Sequence, residues 1–150
     1  ILCITIVEFM FLTYINSKVY AGVYALSVLV PLLVVQPIIA YKLVTKQVSQ
    51  VKKMVAAAFL FITPILFITT TPSFTFEQGK EHLITELNLK EENILDKQEK
   101  EKRTVPVVSS QSFFLTNRLY HYEVEVHGET QYYLMQPNTG EIEQMNKPYW

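Results

Sequence analysis

The feature that most constrains the fold is a pair of long apolar runs in the first half of the chain. Residues 19–41 and residues 54–76 each contain 23 residues without a charged side chain. A helix needs about 20 mostly apolar residues to cross a bilayer, because each residue rises about 1.5 Å through a hydrocarbon core about 30 Å thick. Both runs reach that length. We therefore expect each to form a transmembrane helix, with the lipid bilayer as a partner.

A third apolar segment, residues 1–15, is shorter and contains Glu8. A truncated transmembrane helix would explain its length, and a chain that begins with Ile1 inside an apolar segment is expected to be a fragment. The alternative is a cleaved signal peptide, which needs a basic start and a small-residue cleavage site. The start is not basic and residues 16–18 form a poor site. We therefore favour a helix.

Charge is distributed unevenly along the chain. Residues 1–76 carry one acid and five bases, whereas residues 77–150 carry thirteen acids and eight bases. Four bases cluster in the link between the second and third predicted helices, namely Lys42, Lys46, Lys52 and Lys53. Short loops rich in lysine and arginine remain in the cytoplasm. The pattern predicts a multi-pass protein of the cell membrane in which everything after about Thr71 is extracytoplasmic.

Several residues within the apolar runs are candidates for a transport path. Glu8 is ionisable, and a charged group at membrane depth costs roughly 3 kcal/mol unless it is paired or neutral. Three prolines are expected to kink their helices, namely Pro31, Pro37 and Pro64. Gln36 could hydrogen-bond the backbone groups that a kink releases. The alternative is that Glu8 is protonated or interfacial and that the other residues only shape the helices.

The second half begins with a predicted amphipathic helix over residues 75–89. Thr75 can cap its first turn, and Gln78 three residues later completes a capping box. Asn88 is a plausible stop. An apolar stripe at helical spacing is formed by Phe76, Leu83, Ile84 and Leu87. Another layer of structure must cover this stripe.

The region that follows is highly charged and then becomes strand-like. Residues 90–103 include ten charged residues of mixed sign, which predicts a solvated loop or edge strand. Residues 104–115 contain β-type residues interrupted by Pro106. Because proline cannot donate to a strand ladder, any strand here is expected at an edge of the sheet.

The clearest strand has an apolar face and a polar face. The apolar set is Tyr122, Val124 and Val126, and the polar set is His121, Glu123, Glu125 and His127. Gly128 supplies a turn. A two-residue turn would place Tyr133 opposite Val124, and a three-residue turn would place Leu134 there. We expect the longer turn, which puts Tyr132 and Leu134 on the apolar face.

A second turn is predicted at residues 137–140, where Gly140 can adopt a left-handed conformation and close a three-residue hairpin loop. The next strand is expected from Glu141. The predicted fold class is therefore a membrane α-helical region of two to three transmembrane helices plus a small α+β domain. In that domain, one helix packs on a three- or four-stranded antiparallel sheet.

The sequence of residues 122–142, YEVEVHGETQYYLMQPNTGEI, resembles the characteristic pattern of PepSY domains. The matching residues are Tyr122, Val124, Val126, Gly128, Tyr132, Leu134, Thr139, Gly140, Glu141 and Ile142. The resemblance covers about residues 75–145, and it departs where Gln136 and Pro137 stand before the turn instead of the frequent Asp. It implies an extracytoplasmic domain that modulates peptidases, and it supplies no catalytic residue to carry over.

Residue patterns of enzymes and metal sites are missing from the sequence. There is no HExxH, GxSxG, phosphate-binding loop or CxxC motif. His121 and His127 lie about 20 Å apart along an extended strand and cannot share one ion. We interpret their strand face as solvated, His82 as a surface residue and the single cysteine, Cys3, as a buried inert thiol. We therefore predict no enzyme and no catalytic, cofactor-binding or metal-binding residues.

Two functional hypotheses follow. The chain divides into a transmembrane region over residues 1–71, with helices at about 1–15, 19–44 and 54–71, and an extracytoplasmic PepSY-like domain over residues 72–150. The first hypothesis is a membrane-anchored interaction module with a cell-surface peptidase or another protein as partner. The alternative is a fragment or accessory subunit of a membrane transporter. No basic stripe with aromatic residues appears, which argues against a nucleic-acid partner.

Overall fold

The structure is a computed structural model that describes residues 2–45, 49–95, 103–107 and 118–149. Lys46, residues 96–102 of the charged segment 90–103 and residues 108–115 lie outside the described residues. The chain folds as two compact units. We call Ile1–Ile15 with Ala25–Thr71 the helical unit, and Asn16–Tyr24 with Pro72–Trp150 the sheet unit.

The helical unit contains three helices. These are α1 (Leu2–Lys18), whose last turn belongs to the sheet unit, α2 (Val30–Thr45) and α3 (Gln50–Thr69), with a 3₁₀ turn at Leu26–Val28. The helix expected from residue 19 is therefore shorter than predicted. Before α2 the chain turns at Ala21 and Gly22, whose φ angles of 49° and 79° are incompatible with a right-handed helix.

Prolines occupy two different positions in these helices. Pro31 follows the first residue of α2, where its missing N–H would have no partner inside the helix. Pro37 and Pro64 lie in the interiors of α2 and α3, where each removes one helical hydrogen bond. Pro31 therefore lies where proline favours helix initiation, and not in the helix interior where its kink was predicted. The kinks at Pro37 and Pro64 stay predictions.

The sheet unit combines one α-helix with a four-stranded antiparallel sheet. Its elements are α4 (Phe76–Glu86), a 3₁₀ turn (Glu91–Asn93), β1 (Thr104–Pro106), β2 (Arg118–Val126), β3 (Glu129–Met135) and β4 (Ile142–Met145). The strands are ordered β1-β2-β3-β4. This confirms the predicted α+β arrangement, and Pro106 lies at the end of an edge strand as expected.

The ends of α4 follow the predicted signals. Thr75 Oγ1 accepts a 3.2 Å hydrogen bond from the backbone of Gln78, and the Gln78 side chain accepts a 3.0 Å bond from the backbone of Thr75. This reciprocal pair confirms the capping box. At the other end, Asn88 has a φ of 51° and Leu89 N donates to the Ile84 carbonyl. That bond completes a Schellman stop.

The core of the sheet unit lies between α4 and one face of the sheet. Its buried residues are Val23, Phe76, Leu83, Ile94, Tyr120, Tyr122, Val124, Tyr133 and Met135. Gly79 brings the helix close to the sheet, because a Cβ at this position would meet the Tyr122 hydroxyl and lie 2.9 Å from the Met135 sulfur. The apolar stripe of the helix is therefore covered by the sheet, as predicted.

The register of the first hairpin differs from the prediction. The loop contains only His127 and Gly128, with φ angles of 53° and 83°, and Val124 pairs with Gln131. Two residues with positive φ form the tight turn that best matches strand twist, and histidine enters this region more readily than most residues. Because the register differs by an odd number of residues, Tyr133 and Met135 face the core instead of Tyr132 and Leu134.

The second hairpin turn is close to the prediction. Gly140 has a φ of 79°, and its N–H donates to the Gln136 carbonyl. Gln136 N also donates a 2.9 Å bond to the Glu141 carbonyl. These bonds enclose residues 137–140, so the loop is one residue longer than predicted and β4 begins at Ile142.

Candidate functional site

The three histidines occupy separate environments. His121 is fully buried, and its ring stacks on Tyr132 with centroids 6.0 Å apart. The prediction of a solvated face was therefore wrong for this residue. His127 lies in the exposed hairpin turn, and His82 is partly buried on α4. Within the described residues, no three His, Cys, Asp or Glu side chains are placed to hold a metal ion.

Residues 16–24 form an integral part of the sheet unit, which the sequence did not indicate. The Asn16 side chain bridges both backbone groups of Tyr24, at 3.0 and 3.1 Å. Phe76 N, at the start of α4, donates a 3.1 Å bond to the Val19 carbonyl. Val23 is 0% exposed within the core. The segment therefore supplies both packing and hydrogen bonds to the unit that contains the sheet.

Polar side chains lie inside the helical unit. Gln36 on α2 is 1% exposed. It accepts a 3.1 Å hydrogen bond from Thr5 on α1 and donates a 3.0 Å bond to Thr63 on α3. Within the described residues, Oε1 of Glu8 is buried without a hydrogen-bond partner. One glutamine side chain therefore joins all three helices.

The outer surface of the helical unit is apolar. Large exposed side chains occur on all three helices, among them Val7, Met10, Phe11, Val34, Ile38, Val55, Phe61 and Ile68. Cys3 is exposed on the same surface, so the prediction of a buried thiol was wrong. Among the described helices, only one segment, Leu26–Leu43, is long and apolar enough to cross a membrane by length and composition.

Two buried tyrosines attach the sheet to the start of α4. The Tyr120 hydroxyl donates a 2.9 Å bond to the Phe74 carbonyl, and the Tyr122 hydroxyl donates a 2.8 Å bond to the Phe76 carbonyl. Burial raises the pKa of both hydroxyl groups far above the ordinary tyrosine value, and the charge of Glu77 adds to the shift at Tyr122. Both remain neutral at physiological pH and serve as structural donors.

A cleft opens between α4 and the second hairpin of the sheet unit. Its volume is about 350 Å³. The main lining side chains are His82, Glu86, Tyr133, Glu141, Ile142 and Gln144. Because the cleft lies beside the edge strand β4, its walls are a helix on one side and a strand with its preceding turn on the other. We call it the α4–β4 cleft.

The turn that forms one wall of the α4–β4 cleft is held firmly against α4. A Cβ on Gly140 would lie 3.0 Å from the Phe74 ring and 3.3 Å from His82 Nε2. The rings of Phe74 and His82 are in contact, with centroids 5.2 Å apart. Phe74 N also donates a 3.0 Å bond to the Pro137 carbonyl. These contacts fix the width of the cleft in the absence of a ligand.

The lining of the α4–β4 cleft combines apolar side chains, among them Leu87 and Ile142, with polar and acidic ones. Tyr133 and Gln144 both donate to the side-chain oxygen of Gln131, at 2.7 and 3.3 Å. Glu86 and Glu141 are exposed, and neither forms an ion pair with any described residue. Two carboxylates are therefore among the groups available to a ligand, and they bind cations and hydrogen-bond donors.

Comparisons with known proteins give a single result. No family model, curated protein or solved structure matches the chain. The resemblance to PepSY domains consequently rests on the sequence alone. Two of its residues, Gly128 and Gly140, occupy turns at positive φ, and two others, Tyr122 and Val124, lie in the core.

The α4–β4 cleft was missed at the level of sequence. Its acidic residues, Glu86 and Glu141, are separated by 55 positions, and only Glu141 belongs to the PepSY-like pattern. The turn predicted at residues 137–140 did indicate where the chain reverses before β4. It therefore locates one wall of the cleft, but the position of α4 beside that wall depends on tertiary packing.

Proposed function

We propose that this protein is a multi-pass membrane protein whose sheet unit is an extracytoplasmic, PepSY-like interaction module that modulates a peptidase at the cell surface. The observation that supports membrane insertion is the polarity of the helical unit. Thr5, Gln36 and Thr63 are buried within it, whereas many large apolar side chains on all three helices are exposed. Water-soluble helical proteins show the opposite distribution, and large exposed apolar patches mark membrane or protein contacts.

The Gln36 network supports the same proposal. Interhelical hydrogen bonds from glutamine and threonine hold membrane helices together where burial of apolar groups gives no driving force. Gln36 bonds to Thr5 and Thr63 on the two other helices. Lipid would then surround the apolar exterior, and the polar groups would satisfy one another within the bundle.

Chain connectivity supports the proposed orientation. The chain passes into the sheet unit after α1, returns before α2 and passes into the sheet unit again after α3. If all three helices cross the membrane, the ends of α1 and α3 that lead into the sheet unit lie on one side. The link between α2 and α3 then lies on the opposite side, and Lys42, Lys52 and Lys53 near this link favour the cytoplasm.

An interaction role is favoured by the chemistry of the sheet unit. The α4–β4 cleft presents carboxylates and amides beside a strand edge, which suits recognition of another chain. The two buried tyrosines hold the helix to the sheet and have structural partners. The PepSY-like sequence suggests a peptidase as the class of partner.

One observation favours the transporter alternative. Oε1 of Glu8 is buried inside the helical unit without a described hydrogen-bond partner, although the Glu8 carboxyl group also interacts with the Gln36 side chain. Ionisable groups within membrane segments often mark ion or substrate paths. However, the neighbouring Gln36 forms two interhelical hydrogen bonds. The amide that was a candidate for lining such a path therefore has a structural role.

Cysteine accessibility in intact cells tests the proposed topology. Cys3 would be replaced by alanine, and single cysteines placed at Ser49, beside the lysine-rich link, and at Thr130 in β3; both sites are exposed. A membrane-impermeant thiol reagent should label the Thr130→Cys protein in intact cells and the Ser49→Cys protein only after permeabilisation. The reverse pattern would put the sheet unit in the cytoplasm and exclude a role at the cell surface.

The peptidase role needs a separate measurement. The full chain in lipid nanodiscs would be added to secreted or surface peptidases of the same cells, with a nanodisc-only control. A change in peptide hydrolysis that disappears once the sheet unit has been unfolded by heat would support modulation. Unchanged hydrolysis across these peptidases would leave the protein without the proposed activity.

A further inference from the structure

We propose that the α4–β4 cleft binds an extended peptide segment with basic side chains, which adds to the exposed edge of β4 as a further strand. This inference rests on the proposed interaction function and specifies the chemistry of the partner. Three features support it: an available strand edge, two unneutralised carboxylates and cleft walls that are already in place.

The first feature is the edge of β4. Its residues Ile142–Met145 pair with β3 on one side. Within the described residues, the strand order places no strand on its other side. An exposed edge presents backbone N–H and C=O groups that can pair with another extended chain. Main-chain hydrogen bonds would provide affinity, and alternate side chains of the peptide would reach the sheet face beside the strand.

The second feature is the charge beside that edge. Glu86 on α4 and Glu141 before β4 both line the cleft and are exposed. The ion pairs among the described residues, Lys80–Glu91 and Lys90–Glu92, involve neither of them. His82 is the only basic side chain in the described lining. The Glu141 carboxylate accepts a 3.3 Å hydrogen bond from the Thr139 hydroxyl. Two carboxylates outside the described ion pairs favour lysine or arginine side chains and disfavour acidic ones.

The third feature is the shape of the cleft. Sites that bind small ligands typically have volumes of about 300–1,000 Å³, and the cleft volume of about 350 Å³ lies near the lower limit. It suits one or two long side chains from an extended segment. The packing of Gly140 against Phe74 and His82 holds the wall before binding. A preformed site loses less conformational entropy on binding.

A peptide-binding assay tests the inference on the full chain in lipid nanodiscs. The probe is a fluorescein-labelled octapeptide in which lysine alternates with valine, and binding is followed by fluorescence anisotropy. One control peptide replaces every lysine by glutamate. A second keeps the lysines but carries N-methyl groups on alternate residues, which removes the backbone donors of one edge. We expect saturable binding of the first peptide and no saturable binding of either control.

Matched variants localise the site. Glu86→Gln with Glu141→Gln removes both cleft carboxylates, whereas Glu81→Gln with Glu129→Gln removes two exposed carboxylates outside it. Both variants change the net charge equally. Because a solvent-exposed ion pair contributes only modestly to affinity, the loss of both carboxylates should make the cleft variant bind about tenfold more weakly. The control variant should bind within about twofold of the parent.

Several outcomes would overturn the inference. Equal affinities of the two variants would show that general charge attraction, and not the cleft, binds the peptide. Equal binding of the N-methylated peptide would exclude strand addition. A competing occupant of the β4 edge is the β4 edge of a second copy of the chain. In that case, nanodiscs with two copies should exclude the peptide and single-copy nanodiscs should bind it. Exclusion of the peptide from both would refute the site.

The assay is independent of the topology experiment. Labelling of Thr130→Cys in intact cells together with absent peptide binding would remove this inference and retain the proposed location. Peptide binding together with cytoplasmic labelling would retain the cleft as a peptide site and remove the cell-surface role. The two results therefore identify which of the two proposals has failed.

Discussion

The hydroxyl group of Tyr122 donates a 2.8 Å hydrogen bond to the backbone carbonyl of Phe76, and the rings of the same two residues stack with centroids 5.0 Å apart. The pair joins the central strand β2 to the first turn of α4. Gly79, one turn further along the helix, provides the space that the tyrosine hydroxyl occupies. The position of the helix on the sheet therefore depends on a residue without a side chain.

Replacement of Gly79 by alanine should destabilise the sheet unit. In an exposed helix, this change would stabilise by about 1 kcal/mol because alanine is the better helix former. Here the added Cβ would meet the Tyr122 hydroxyl and lie 2.9 Å from the Met135 sulfur. We expect a net loss of about 1–3 kcal/mol from overpacking. Chemical unfolding followed by near-ultraviolet circular dichroism of the tyrosines would measure it.

A double-mutant cycle provides the control for Gly79→Ala. Tyr122→Phe removes the hydroxyl that is nearest to the added Cβ, and on its own should cost about 1 kcal/mol for the lost hydrogen bond. The two changes together should cost less than the sum of the single changes, because the phenylalanine relieves the overlap. Strict additivity would mean that the helix shifts as a whole and that this contact does not set its position.

The buried tyrosines predict a loss of stability at alkaline pH. Burial raises the pKa of Tyr120 and Tyr122, whereas an unfolded tyrosine titrates near about pH 10. Above that pH the unfolded chain loses protons that the folded unit retains, so stability falls as pH rises. Each buried tyrosine contributes a slope of about 1.4 kcal/mol per pH unit. Unfolding free energies measured on both sides of pH 10, with tyrosinate absorbance, check this expectation.

Tyr122→Phe distinguishes this titration from general alkaline damage. The variant should lose the contribution of one tyrosine to the slope above pH 10 and should retain the pH dependence of the parent below it. A parallel decline of parent and variant would show that Tyr122 is not responsible. Thr130 is exposed in β3, so the pH dependence of the Thr130→Ala variant should match that of the parent.

Val23 should contribute to the stability of the sheet unit although it lies nearly a hundred positions before β2. It is 0% exposed among the core residues, so Val23→Ala removes two methyl groups from a packed site. We expect a cost of about 2 kcal/mol. Val19→Ala is the matched control, because Val19 is 37% exposed in the same segment. Equal effects of the two changes on the unfolding of the sheet unit would contradict the role of Val23.

Gln36 should stabilise the association of the three helices. Gln36→Leu preserves size and helix propensity but removes the hydrogen bonds to Thr5 and Thr63. Interhelical hydrogen bonds in membranes contribute on average about 0.6 kcal/mol each, so the loss should be about 1 kcal/mol. Unfolding in mixed detergent micelles would measure it, with Val34→Leu on the exposed surface as control. A stabilised Gln36→Leu protein would contradict the proposed role.

Local features of the fold were predictable from the sequence because they depend on residues a few positions apart. The capping box of Thr75 and Gln78 and the stop at Asn88 formed as expected, and Gly140 has the predicted left-handed conformation in a loop one residue longer than predicted. The edge position of Pro106 followed from its missing donor. In each case the physical cause lies within one turn of chain.

Features that depend on distant parts of the chain were not predictable in the same way. The first hairpin differs because His127 adopts a positive φ, which changes the register of every residue after it. His121 is buried on the second face of the sheet, where its ring stacks on Tyr132 of the neighbouring strand. The α4–β4 cleft requires the placement of α4 against β4, which no local pattern specifies. Tertiary packing decided all three.

The hydrogen bond from Thr104 to the Ala21 carbonyl joins residues 83 positions apart. Cells synthesise a chain from its amino end, so residues 16–24 emerge from the ribosome long before the strands that cover them. We expect Val23 in this segment to stay exposed while α2 and α3 are synthesised and inserted. The last strands then close over it. The sheet unit can therefore complete its core only after α2 and α3 have been synthesised.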